Sequence, residues 1–140
     1  MEVAYLDGKR QIVKIRDEQL SRTAQLTFSE RDTFLISGAG SGIAASVMLA
    51  LAKALPVKFI VVDVVPLPED IADLAALDST GLEQLRKRLQ AQLEGQYARV
   101  TPALLNNEFS KRTRAIEIHR NLQAVRQLNR KVVYIACDVR

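Results

Sequence analysis

Three short runs along the chain are rich in β-branched and aromatic residues: Thr33-Phe-Leu-Ile-Ser37, Val57-Lys-Phe-Ile-Val-Val62 and Lys131-Val-Val-Tyr-Ile-Ala-Cys137. Each has the length of a buried strand. Between the first two, Ile43, Val47, Leu51 and Leu55 recur every four residues with alanine between them, which marks one face of a closely packed helix. Pro56 ends that helix. The second run is apolar on both faces, as a parallel sheet covered on both sides requires. Strand, glycine-rich turn, helix and strand make a βαβ unit, with the right-handed crossover such units adopt.

On either side of this unit the pattern changes. Residues 3–6 and 11–15 are β-prone and flank Asp7-Gly8, a dipeptide whose tolerance of positive φ predicts a hairpin. Residues 16–32 are polar and read as a linker. Residues 64–78 read as a loop with one helical turn. Thr80-Gly-Leu-Glu83 has the form of a capping box, and Leu82, Leu85, Leu89 and Leu93 then form a helical stripe that Gly95 ends. Thr101-Pro102 opens a further helix, Asn106-Asn107 is expected to interrupt it, and Ala115, Ile118, Leu122 and Val125 form its apolar face.

The predicted fold is therefore α/β: a Rossmann-like βαβ half-fold with a parallel sheet, preceded by a β-hairpin. It carries a helical insertion over residues 79–128, between the second and third strands. Residues 1–32 form the hairpin and linker, and residues 33–140 the amino-terminal half of a nucleotide-binding domain. A three-stranded parallel sheet with an open edge is a poor independent domain. The reading is thus the leading piece of a larger protein.

Composition narrows the function classes. At 140 residues, 48% hydrophobic and 26% charged, the chain has the make-up of one globular domain. No run of ~18 apolar residues exists to span a membrane. Charges at Asp7, Lys9, Arg10, Lys14, Arg16 and Asp17 break any secretory leader, so the expected compartment is the cytoplasm. One cysteine and one histidine exclude a disulfide framework and cysteine- or histidine-rich metal sites, and no metal is expected. Net charge runs +1 over residues 1–65, −3 over 66–98 and +6 over 99–140. The basic last third carries Glu108 and Glu117 among its cations and lacks interleaved aromatics, so it reads as a solvated helix face rather than a nucleic-acid surface.

The sharpest chemical signal is Gly38-Ala39-Gly40-Ser41-Gly42, which leaves a strand and opens a helix. Glycines there let the backbone turn tightly and approach a pyrophosphate, which the free amides of the helix start attract. Ile43 stands at the third glycine of G-x-G-x-x-G, and no Gly-Lys-Ser/Thr follows, so the loop is neither a strict dinucleotide fingerprint nor a Walker loop. Gly38, Gly40, Ser41, Gly42 and Ile43 are the candidate phosphate contacts. Asp63, at the end of the second strand, is placed to accept both hydroxyls of an adenosine ribose. Asp138-Val139 follows the third strand at the same edge, facing the adenine. His119 reads as a boundary residue and Cys137 as a small buried apolar one. Tyr134 is followed four places on by Asp138 rather than Lys, and Tyr5 and Lys9 straddle a turn, so no catalytic residue is assigned.

Ser37-Gly38-x-x-x-Gly42-Ile43-Ala44 resembles the Thr-Gly-x-x-x-Gly-Ile-Gly phosphate loop of short-chain dehydrogenases/reductases, and Cys137-Asp138-Val139 their adenine-contacting Asp-Val. Within that superfamily the chain more closely resembles ketoreductase domains of modular polyketide synthases and polyunsaturated-fatty-acid synthases. Glu2–Arg10 resembles the hairpin before their catalytic half, and Lys58–Val62 their second strand. The long segment with Glu117-Ile118 and Asn121-Leu122 before Val132 resembles their insertion. The resemblance implies reduction of a β-ketoacyl thioester, held on an acyl carrier protein beside neighbouring synthase domains, with NADPH (NADP) as cofactor. It also implies a catalytic Ser/Tyr/Lys set beyond residue 140. Asp63-Val64 stands where the family commonly has an Arg for the 2′-phosphate, so NAD is expected to compete better than in relatives with that Arg. The alternative is a non-catalytic structural or docking module of such a synthase.

Overall fold

The computed structural model describes residues 3–17 and 26–139; the middle of the polar linker and Arg140 lie outside them. Strands β1 (Val3–Leu6) and β2 (Lys9–Ile12) form an antiparallel hairpin. Asp7 and Gly8 both take positive φ, 51° and 71°, the geometry a two-residue hairpin turn demands. The second strand starts earlier than its apolar run because the two-residue turn fixes the register, pairing Leu6 with Lys9.

The other elements are β3 (Thr33–Ser37), α1 (Gly42–Ala54), β4 (Lys58–Asp63), α2 (Ile71–Ala75), α3 (Ser79–Gln96), α4 (Pro102–Gln127) and β5 (Val132–Ala136). The three strands form a parallel sheet in the order β3-β4-β5. The architecture is thus α/β, a three-stranded parallel sheet with a separate antiparallel hairpin. Phe59 and Val61 point to one face, where Met48 and Ala52 of α1 and Ile118, Leu122 and Val125 of α4 cover them. Phe28, Phe34 and Phe59 extend that packing edge to face, with ring centroids 5.1 and 6.1 Å apart.

Several details differ from the sequence reading. β4 alternates between fully and partly buried rather than being buried throughout, because helices cover one face of the sheet only. Leu35 remains 70% exposed on the other face, with Val133 and Ile135 nearby. The cap of α3 is Asp78, whose carboxylate accepts from the Gly81 amide at 2.8 Å, so Thr80 lies within the first turn. Gly95 does not end α3, which closes at Gln96 with Tyr97 extended. α4 runs unbroken through Asn106-Asn107, as Asn106 accepts from Arg86 of α3 at 2.6 Å and the Arg86 guanidinium lies over the Phe109 ring. Cys137 falls just past β5 and is exposed, not buried.

Candidate functional site

The loop Gly38–Gly42 sits at the carboxyl end of β3, the edge where open parallel sheets bind ligands. Its backbone needs glycine at both ends: Gly38 has φ 67° and Gly42 φ 65°. An added Cβ at either would meet no atom within 4 Å, so both face open space. The Gly38 amide donates to the Val62 carbonyl at 2.7 Å, fixing the loop to the end of β4. Ser41 is the N-cap of α1, but its side chain makes no bond to the helix amides. Ile43 is largely exposed beside it.

Gly40 faces inward. A Cβ there would lie 2.7 Å from Ile118 Cγ1 and 3.1 Å from Asp63 Oδ2, so only glycine lets α4 and the end of β4 come this close. Asp63 is 3% exposed. Its Oδ1 stands 3.4 Å from both the Val65 amide and the Arg114 guanidinium. Its Oδ2 is buried with no hydrogen-bond partner among the described residues. A buried, half-satisfied carboxylate is costly.

Helix α4 contributes a row of side chains that sequence reasoning did not assign. Arg114 meets Asp63, the Glu117 carboxylate accepts from the Gly42 amide at 3.0 Å, Ile118 covers Gly40, and Asn121 donates to the Gly40 carbonyl at 2.9 Å. The spacing 114, 117, 118, 121 is one helix face. That spacing was the available signal, although nothing in it names the loop as the target.

Asp138 and Val139 follow β5 at the same edge of the sheet and are exposed; the strand's end is tied in by the Cys137 amide donating to the Asp63 carbonyl at 2.8 Å. Tyr134 reaches across to donate to the Val65 carbonyl at 2.5 Å. Burial pushes its hydroxyl up to about 12; the Asp63 charge adds to this and Arg114 opposes it. His119 is half-buried on α4 with Gln123 beside it. The sheet's opposite, amino end holds a separate cleft of ≈ 490 Å³ with Arg31, Lys58, Arg130 and Lys131 in its lining. None of the candidate residues lies there.

The constellation is thus a glycine loop with a helix start, a buried carboxylate beside it and one cation, Arg114. The helix start leaves open space for an anion at Gly38 and Gly42, whereas the Asp63 carboxylate is buried beneath Gly40 and Ile118. No group of three metal-ligating side chains occurs among the described residues, and no helix among them is long and apolar enough to cross a membrane. Comparison with family models, curated proteins and solved structures finds no match to this chain.

Proposed function

We propose that this chain is the NAD(P)H-binding part of a β-ketoacyl thioester reductase in a polyketide or fatty-acid synthase, built as a Rossmann-like half-fold and working in the cytoplasm. The observation that carries the reading is the glycine loop. It joins a parallel strand to a helix start, opens at Gly38 and Gly42, and lies against a carboxylate at the end of the adjacent strand. The order β3-β4-β5 is that of the first three strands of a dinucleotide-binding sheet. The open space at Gly38 and Gly42 leaves room for a pyrophosphate, and Asp63 Oδ2, buried under Gly40, would accept from a ribose hydroxyl once the loop opens.

In this reading Gly38, Gly40, Ser41, Gly42 and Ile43 hold the phosphates. Asp63 faces the adenosine ribose and Asp138-Val139 the adenine. Arg114 neutralises Asp63, which lessens the repulsion of a 2′-phosphate. When bound, the reduced nicotinamide supplies a hydride; this chain binds and orients it. The thioester arrives on an acyl carrier protein, and neighbouring synthase domains are the other partners.

The test is titration of the protein with NADPH and NADH by nicotinamide fluorescence, for wild type and Gly42→Val. Binding that the substitution abolishes while circular dichroism is retained supports the reading. Binding indifferent to Gly42 contradicts it. A second reading, a structural or docking module, is favoured by Glu117 and Asn121 already occupying loop groups. It predicts that neither nucleotide binds.

A further inference from the structure

We infer that Glu117 is the internal anion of the glycine loop, and that a nucleotide phosphate binds there by exchanging with it. The inference rests on the nucleotide-binding reading and names the residue that sets the affinity of that site.

A helix start attracts anions through its free amides and its dipole. In α1 the cap residue Ser41 leaves those amides to others, and the Gly42 amide is taken by a carboxylate 75 positions away in sequence. Independent of the helix start, the loop carries a second mark of a ligand. The Asp63 side chain is 1% exposed, and its partnerless Oδ2 is aimed at Gly40, 3.1 Å from where a Cβ would sit. The unpartnered acceptor and the carboxylate on the helix start thus lie at the same loop.

Glu117 is suited to exchange. It is exposed, and its carboxylate accepts from an amide rather than facing a cation. The ion pairs among the described residues are Lys111–Glu108 and Arg114–Asp63, so Glu117 takes no part in one. Its alternative position is already built. Arg120 lies three residues on along α4, a spacing that favours ion pairing. Arg120 donates to the Ala75 and Leu77 carbonyls and belongs to neither ion pair. Glu117, Arg120 and Asn121 line one cleft of ≈ 230 Å³, which gives the displaced carboxylate room beside that guanidinium. A phosphate at Gly42 would repel Glu117 and drive it toward Arg120, while Arg114 stays with Asp63.

The test is isothermal titration of the full chain with NADPH, NADH and inorganic pyrophosphate, comparing wild type with Glu117→Gln and Glu117→Asp. Glu117→Gln keeps the size and an acceptor but loses the charge. Glu117→Asp keeps the charge but withdraws it by one methylene from the amide. Exchange predicts that Glu117→Gln tightens NADPH and pyrophosphate by roughly two- to fivefold, the span of one anion–helix contact. Glu117→Asp should tighten them in the same direction. The Gly42 amide resonance should differ between free wild type and Glu117→Gln and converge at saturating NADPH. Unchanged or weaker binding in both variants, with wild type still binding, overturns the exchange and leaves the nucleotide site standing. If either variant fails to fold, the other decides. No binding by any of the three proteins overturns both readings.

Discussion

Arg114 Nη2 lies 3.4 Å from Asp63 Oδ1, joining the middle of α4 to the last residue of β4 across 51 positions of sequence. The pair is lopsided: the Asp63 side chain is buried, while the Arg114 side chain is 47% exposed. Water therefore screens one partner and leaves the other dependent on it. Arg114→Ala should destabilise the fold by about 1–3 kcal/mol, below the full cost of breaking a fully buried pair, because Arg114 is half in solvent. Asp63→Asn in the Arg114→Ala background should recover part of that loss, since no orphaned charge remains. Urea unfolding of the four proteins measures the coupling; additive effects would show that the pair does not act as one.

The glycines of the loop should separate by mechanism. Gly38→Ala meets no neighbour and suffers only the strain of positive φ, about 1–2 kcal/mol. Gly40→Ala places a methyl 2.7 Å from Ile118 Cγ1, and α4 has to yield, for about 1–3 kcal/mol. Equilibrium unfolding gives both totals. Only Gly40→Ala should also shift the amide resonances of residues 114–121.

How much of this was legible in the sequence depends on range. The βαβ unit was readable because the apolar runs Thr33–Ser37 and Lys58–Asp63 flank an alanine-rich helical stretch. The stripe Ile43, Val47, Leu51 and Leu55 named the wrong face of that helix: Ile43 and Val47 are exposed, and Ala45, Met48 and Ala52 are buried, because small residues let α1 pack closely on the sheet. The cap of α3 was misread because Asp78 and Thr80 both offer cap chemistry two residues apart, and the structure takes the one that gives the longer helix. Asn106 looked like a breaker, yet its bond from Arg86 is a tertiary contact that local propensity does not contain. The loop itself was visible, with its strand before and helix after. Glu117 on Gly42 and Arg114 on Asp63 were not, since no pattern within α4 states what its polar residues face.

Tyr134 should titrate late. Its hydroxyl is raised from 10.0 to about 12, chiefly by burial, so the folded state holds this proton where the unfolded chain releases it. Its contribution to stability is therefore complete below pH 10.0 and lost as pH rises toward about 12. Alkaline titration of phenolate absorbance should show a late step that disappears in Tyr134→Phe. A late step that persists in this variant would belong to another group.

The uncovered sheet face makes a separate claim. Leu35, Val133 and Ile135 are exposed, so the chain gains little from their apolar surface. Leu35→Ser should change the unfolding free energy by less than about 1 kcal/mol. It should also lower any self-association seen by analytical ultracentrifugation, because the exposed apolar face shrinks. A loss of several kcal/mol would mean that this face is covered in solution.

The proposed nucleotide site at Gly38–Gly42 is open to test at its own amides. The most direct measurement is an amide-resolved NMR titration of the isotope-labelled chain with NADPH. Saturable shifts are expected at Gly38, Gly40, Gly42 and Ile43, with smaller ones at Asp138 and Val139, and none around Lys58 and Arg130 at the opposite end of the sheet. Shifts confined to that opposite cleft, or no saturable shift at the loop, would contradict it.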